Sequence, residues 1–205
     1  MTHDTPHKSI DWKAQWAEFA MGFDGQVAHI PVGMTEMILK PGAGFGDCSH
    51  PTTRLMLAMM ADWVKDKVVL DVGCGSGVLS VAAGLLGARR VYGIDIDPQA
   101  IEHAQQNAFL NHVQDRVCFS SGFDGREVDV VLMNMIWSEQ RLAWEFVKEI
   151  RAATLFTSGV LSSEATAYKE WICQQGKWSF KSEREEEGWL GMFFIAVGMS
   201  PLLEL

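Results

Sequence analysis

The sequence predicts an α/β fold: a mostly parallel, seven-stranded sheet with an antiparallel pair at its C-terminal end. Three observations predict it. Residues 68–97 read as strand, glycine loop, helix, strand and acid, which is one right-handed βαβ unit. Short apolar runs then alternate with amphipathic helical patterns, as parallel strands joined by helices do. Last, the runs Trp178–Arg184 and Gly191–Val197 follow each other with no helix between them, as antiparallel strands do. A chain of 205 residues suits one such domain with a proper core.

Residues 1–9 are polar and are predicted to be disordered. Residues 10–20 suggest a short helix capped by Asp11, with Trp12, Trp16 and Phe19 on one face. That face reads as packing rather than a docking patch, since apolar stripes are usually core. Val27, Ile30, Val32, Met37 and Leu39 alternate as two short strands around a turn at Pro31-Val-Gly. Residues 1–44 thus read as a short N-terminal extension and 45–205 as the main domain. Pro41 to Thr53 is a glycine-rich loop, and Arg54–Val64 is a helix whose first turn takes Pro51. Met56, Met59, Met60 and Trp63 form its buried face. Thr52 and Thr53 sit in that first turn, where free N–H groups favour an anion. His50 reads as loop structure ahead of a base or substrate contact.

Val68, Val69 and Leu70 form an apolar run, as in a parallel strand buried on both faces. Asp71 closes it, and Gly73, Gly75 and Gly77 follow at alternate positions. Such glycines let the chain turn tightly and let a ligand approach. A helix opens near Ser76 and ends at Gly87; Val91–Ile94 is the next strand, with Asp95 at its carboxyl end. Asp97 caps the following helix and Pro98 takes its first position, to about Asn111. Val117–Ser120 is the third strand. Val128–Met133 is the fourth and delivers Asn134 to its carboxyl end, where open α/β sheets bind ligands. Trp137–Ala152 is an amphipathic helix, Thr154–Val160 the fifth strand, and Glu164–Gln175 a helix. The acidic run Glu183–Glu187 reads as a solvated strand end and hairpin.

The glycine spacing selects among nucleoside ligands. The dinucleotide fingerprint G-x-G-x-x-G/A fails, because Val78 and Ser80 stand where Gly or Ala would be needed. The spacing G-x-G-x-G after Asp71 resembles motif I of class I S-adenosylmethionine (SAM) methyltransferases, a Rossmann-like group. The chemistry agrees. Asp71 suits the ammonium of SAM, directly or through a water, and Asp95 can accept both ribose hydroxyls. The methionine carboxylate suits the first turn after Pro51. Phe123 and Ile96 are equally placed to pack on an adenine ring or in the core. Trp137 reads as buried against the next helix rather than stacked on a substrate.

A longer ordered set makes the resemblance specific. Phe45-Gly46-x-x-x-His50-x-Thr52-Thr53, then Leu70-Asp71-x-Gly73-Cys74-Gly75-Ser76-Gly77-x-Leu79, then Gly93-Ile94-Asp95-Ile96-Asp97-Pro98, is similar to the ribosomal protein L-eleven methyltransferase (PrmA) family. The resemblance covers roughly residues 10–200. It implies that Thr53, Gly73, Asp95 and Asn134 hold SAM, and that the acceptor is a protein amine, a ribosomal protein among the candidates. Asn134-Met-Ile-Trp137 half-matches the Asn-Pro-Pro-aromatic motif of amino-nitrogen methyltransferases, in which the Asn carbonyl aligns the target amine. Asn134 is therefore the expected catalytic residue, aligning either the amine or the methionine end. Two features depart from the family. Asp47-Cys48 replaces the usual Thr-Gly. About 40 residues precede the Phe-Gly pair, too few for the family's N-terminal substrate-gripping domain.

Composition excludes several classes. The net charge of −9 and the single adjacent basic pair, Arg89-Arg90, argue against nucleic acid as a partner. Cys48, Cys74, Cys118 and Cys173 form no Cys-x-x-Cys, which excludes a Cys-x-x-Cys zinc site and fits a reducing, cytoplasmic setting. No apolar run approaches a membrane span, and no N-terminal signal pattern is present. The expectation is a SAM-dependent N-methyltransferase acting on a protein amine. A small-molecule or nucleobase amine is the alternative acceptor, and a silent SAM-binding partner protein is the alternative class.

Overall fold

The computed structural model describes residues 12–198; Asp11 and the first nine residues lie outside them. Helix α1 (Trp12–Phe19) leads into the hairpin β1 (Ala28–Val32) and β2 (Thr35–Leu39). Then come α2 (Pro51–Met60), β3 (Val68–Val72), α3 (Val78–Leu85), β4 (Arg90–Ile94), α4 (Pro98–Leu110) and β5 (Val117–Ser120). The chain continues through β6 (Val130–Asn134), α5 (Trp137–Val147), β7 (Thr154–Leu161), α6 (Ala165–Gln174), β8 (Trp178–Glu186) and β9 (Trp189–Ala196).

The main sheet has seven strands in the order β5-β4-β3-β6-β7-β9-β8. Pairing is parallel from β5 to β7, and antiparallel where β9 enters between β7 and β8. Strand order reverses direction at β3, so the carboxyl ends of β3 and β6 open a crevice there, the place where such sheets take ligands. Successive residues alternate between two cores, as the pleat requires. Val69, Leu132, Phe156 and Phe193 face α2, α3 and α4, with Ile30, Met37 and Leu39 of the first hairpin in the same core. Leu70, Met133, Leu155 and Phe194 face α5 and α6, through Trp144, Tyr168 and Ile172.

Side-chain caps set several boundaries. Asp97 accepts from the Gln99 N–H at 2.9 Å and opens α4 at Pro98, as expected. His50 is the N-cap of α2, so that helix starts at Pro51, three residues earlier than the apolar pattern suggested. Helix α5 ends at Val147 rather than running to Ala152. Pro31 lies inside β1, and the hairpin turns at Gly33 and Met34 instead. Trp16 is buried and meets the His103 ring edge-on, whereas Phe19 is exposed, so only part of the predicted stripe packs. The edge of β2 is closed by α4: Asn111 exchanges hydrogen bonds with Ile38, and Asn107 accepts from the Lys40 N–H at 2.9 Å.

The loop at 41–46 lies directly on the glycine loop after β3. The Ser76 N–H donates to the Phe45 carbonyl at 2.9 Å, and the Ser76 hydroxyl donates to the Gly46 carbonyl at 2.9 Å. His103 of α4 holds the other end: its Nδ1 accepts from the Gly44 N–H at 3.1 Å, and its Nε2 contacts the Lys40 carbonyl at 2.6 Å. Gly44 is required here because a Cβ would sit 2.3 Å from the Ser76 backbone nitrogen. Substituting Gly44→Ala should therefore destabilise the protein by about 1–3 kcal/mol, the usual cost of overpacking. Urea denaturation checks this; an unchanged midpoint would mean that the two loops need not touch.

Candidate functional site

A cavity of about 870 Å³ opens at the carboxyl ends of the parallel strands. That is large enough for a nucleoside-sized ligand. Of the residues expected from sequence, Gly73, Gly75, Asp95 and Asn134 line it. They sit on the turn after β3, the end of β4 and the end of β6. The glycine turn is held open by positive φ at Gly73 and Gly75, and Asp95 braces it. One Asp95 oxygen accepts from the Gly75 N–H at 2.9 Å, the other from the Asp97 N–H at 3.0 Å. A carboxylate oxygen takes more than one donor, so Asp95 keeps acceptor capacity for a pair of ligand hydroxyls.

Three expected residues stand behind the wall. Gly77 caps α3 in the left-handed conformation and packs against Ala104 and Phe119. Thr53 is fully buried, and its hydroxyl receives the Asn134 side-chain N–H at 3.3 Å; the neighbouring Thr52 lines the cavity instead. Asp71, expected to serve an ammonium directly or through a water, makes its visible contacts inside the protein. It is buried, is absent from the cavity wall, and accepts from the Ser80 hydroxyl at 2.7 Å. Its visible job is to tie β3 to α3. Burial is the main cause that raises its pKa, to about 6, with the Ser80 hydrogen bonds opposing.

Asn134 lines the cavity at the end of β6. Its Nδ2 reaches Thr53, but its Oδ1 is buried with no hydrogen-bond partner. An unpaired buried acceptor costs roughly 1–3 kcal/mol, and an N–H donor from a ligand would relieve it. Met135 and Ile136 line the wall where the amino-nitrogen motif has prolines. Trp137 instead is half-buried and packs edge-on against Tyr168, at a centroid distance of 5.6 Å. Ile96 is exposed and lines the cavity, whereas Phe123 packs on Tyr92 with centroids 4.9 Å apart. Of the two candidates for an adenine contact, Ile96 is thus the one at the site.

Sequence reasoning missed the far wall. His50, Gly159 and Trp189 line the cavity over α2 and the ends of β7 and β9. The His50 ring meets Phe45 and Trp189 edge-on at 5.7 and 5.1 Å. Its Nδ1 lies 2.9 Å from the Thr52 hydroxyl and 3.4 Å from the Thr52 backbone nitrogen, so the ring caps α2 through Nδ1. Burial, and then Arg54, lower its pKa. His50 thus caps a helix while its ring lines the cavity. The acidic hairpin is not merely solvated: Arg54 of α2 pairs with Glu186 at 2.5 Å and Glu187 at 2.9 Å. That brings Trp189 against His50. Asp47 accepts from the Ser49 N–H at 2.9 Å, and Cys48 adopts φ +63°, a glycine-like conformation.

The donor set fits SAM. A carboxylate is placed for a diol, glycine backbone lies open, and a buried amide oxygen lacks a donor. The charged wall residues are Asp95, Asp97 and Glu139; no Lys or Arg lines the cavity among the described residues. That set suits a cationic ligand and gives a pyrophosphate no counter-charge. Among the described residues no metal-binding cluster occurs, and no helix is long and apolar enough to cross a membrane.

Comparison with known proteins agrees with this geometry. The family model described as ribosomal protein L11 methyltransferase (PrmA) matches residues 24–195. The ribosomal protein L11 methyltransferase of Thiobacillus denitrificans is 38% identical over 159 residues, which are 74% of this chain and 52% of that protein. That of Methylobacillus flagellatus is 42% identical over 143 residues, 66% of this chain and 48% of that protein. The chain thus spans about half the length of the curated relatives it matches. Among solved structures, the ribosomal protein L11 methylase of Lactobacillus delbrueckii subsp. bulgaricus superposes with a TM-score of 0.67 at 24% identity, covering 77% of this chain and 83% of that one. An RNA methyltransferase from Salinibacter ruber, solved with S-adenosyl-L-homocysteine, gives 0.54 at 23%, covering 75% and 95%. These two likenesses speak for the fold.

Asp71 yields a prediction with a definite sign. Its folded pKa lies above the unfolded value of 3.8, so the native state holds the proton more tightly. The contribution of Asp71 to stability is then full below about pH 3.8 and falls by about 3 kcal/mol as the pH passes 6. In thermal melts, Asp71→Asn should remove this decline, matching wild type near pH 4 and exceeding it at pH 7.5. Parallel Tm–pH curves for the two proteins would contradict the assignment.

Proposed function

This chain belongs to the ribosomal protein L11 methyltransferase (PrmA) family, and on that basis we propose that it transfers a methyl group from SAM to an amine nitrogen of a protein. Ribosomal protein L11, the substrate in its relatives' names, is the proposed acceptor. The observation that carries the reading is the buried, unpartnered Oδ1 of Asn134, on the same wall as Asp95 and Gly73. SAM, when bound, would supply a sulfonium methyl: an amine lone pair attacking its carbon in line forms the N–C bond as the S–C bond breaks, and that electron pair leaves with the sulfur.

The chain's own residues orient and desolvate. Asp95 takes the ribose hydroxyls, while the backbone at Gly73 and Gly75 lets the nucleoside lie close. Asn134 presents Oδ1 to an N–H of the acceptor, aiming the nitrogen lone pair along the transfer axis. Orientation of this kind supplies most of the rate in a reaction that needs little acid–base help. The acceptor amine must be neutral, and burial in an apolar cleft lowers its pKa. The cavity provides such a setting in Val72, Ile94, Met135, Ile136 and Phe146. No general base is assigned. The acidic wall supports a basic protein segment over a nucleic acid as the partner that carries the amine. The free thiols at Cys48, Cys74, Cys118 and Cys173 fit a cytoplasmic setting.

The test uses methyl-labelled SAM with recombinant L11 and, in parallel, a cell lysate. Wild type should label L11, and the lysate label should be lost to protease and kept after nuclease. Asn134→Ala should slow transfer roughly 100-fold. Asp95→Ala should weaken SAM binding at least tenfold by calorimetry, the loss of about one charge-assisted hydrogen bond. Label that resists protease but not nuclease, or SAM affinity unchanged in Asp95→Ala, would overturn the reading.

A further inference from the structure

Asn134 has a weak tether of its own, the 3.3 Å contact from Nδ2 to Thr53. Its pose must come from the backbone on either side. Across the sheet it pairs with Ser158 of β7, and the next residue, Met135, begins the turn into α5. The carbonyls of both Met135 and Ser158 are gripped by one side chain. Gln140 is wholly buried; its Nε2 donates to the Met135 carbonyl at 2.8 Å and to the Ser158 carbonyl at 2.9 Å. Its Oε1 accepts from the hydroxyl of Tyr168, itself buried on α6. The Ser158 hydroxyl continues the chain to the Leu190 carbonyl of β9 at 2.8 Å. Opposite Gln140, β7 is bulged at Gly159 (φ +94°), where a Cβ would lie 2.1 Å from the Met135 oxygen. The Met135 peptide is thus confined by Gly159 and Gln140.

A buried amide is costly unless paired, and here both donors and the acceptor are engaged. An apolar residue would fill the space but hold neither carbonyl. We propose that Gln140 is a positioning residue for methyl transfer: it clamps the ends of β6 and β7 and thereby aims the Asn134 amide into the cavity. This rests on the reading of Asn134 given above. Gln140 does not line the cavity, so it acts only through the residues it holds.

A double-mutant cycle with a structural readout tests it. Wild type, Asn134→Ala, Gln140→Met and the double variant are assayed with SAM and recombinant L11, and amide hydrogen exchange is followed at residues 135–137. Gln140→Met should lower kcat at least tenfold, with SAM affinity and acceptor KM within threefold of wild type. Exchange at 135–137 should accelerate at least tenfold. The double variant should be no more than threefold slower than Asn134→Ala, because both changes remove one function. Losses that multiply, or a fall in SAM affinity that matches the fall in kcat, would overturn the proposal. If Gln140→Met does not fold, Tyr168→Phe, which removes one hydroxyl, is carried through the same cycle under the same criteria. Hydrogen exchange separates the two readings. If wild type transfers no methyl to L11, the functional reading fails, while unchanged exchange at 135–137 sinks the clamp by itself.

Discussion

The contact on which the site depends is the stacking of two glycine-rich loops, with the Ser76 N–H on the Phe45 carbonyl at 2.9 Å. The loop at 41–46 would otherwise be a surface connection. Pressed onto the turn after β3, it becomes one wall of the cavity. Backbone can approach backbone this closely only without side chains between, which is why Gly44 and Gly75 face each other there. His103 and Asn107 of α4, which do not line the cavity themselves, hold the arrangement from behind. The buried His103 ring has its pKa lowered mainly by burial, which keeps it neutral for that role.

The polar groups divide by task. Asp95 and Asn134 line the cavity, Asp95 with acceptor capacity to spare and Asn134 with a buried Oδ1 that has no partner. Asp71, Thr53 and Gly77 are spent inside the protein, fixing α3 and the Asn134 amide. Thr53 therefore contributes to the site by holding Asn134, while Thr52 and His50 meet the cavity. Two long-range links complete the far wall. Arg54 draws in the β8–β9 hairpin, and Gln140 fixes the turn that follows β6.

Features governed by neighbours in sequence were legible; features made by distant partners were not. The run Val68–Leu70 and the pair Asp97-Pro98 announce a buried strand and a capped helix, because periodicity and capping are local. The glycine spacing and Asp95 likewise named the ligand class. Helix α5 was read five residues too long because Ile150 and Ala152 extend the apolar pattern and are buried, although the helix ends at Val147. His50 read as loop structure because a cap and a base share one residue type. Gln140 looked like any polar residue on an amphipathic helix. Its partners lie on β7 and α6, and nothing nearby in sequence marks them. Arg54 and Glu186 are 132 residues apart, so charge patterning could only call the run solvated.

On the proposed function, the unpaired Oδ1 of Asn134 awaits a nitrogen donor brought by a ligand bound between Asp95 and β7. A crystal structure with S-adenosylhomocysteine and an acceptor peptide from L11 tests it most directly. The account predicts both ribose hydroxyls on Asp95 and a ligand N–H within hydrogen-bond distance of Asn134 Oδ1. A nucleoside seated away from Asp95, or an Oδ1 still without a donor in the ternary complex, would contradict it.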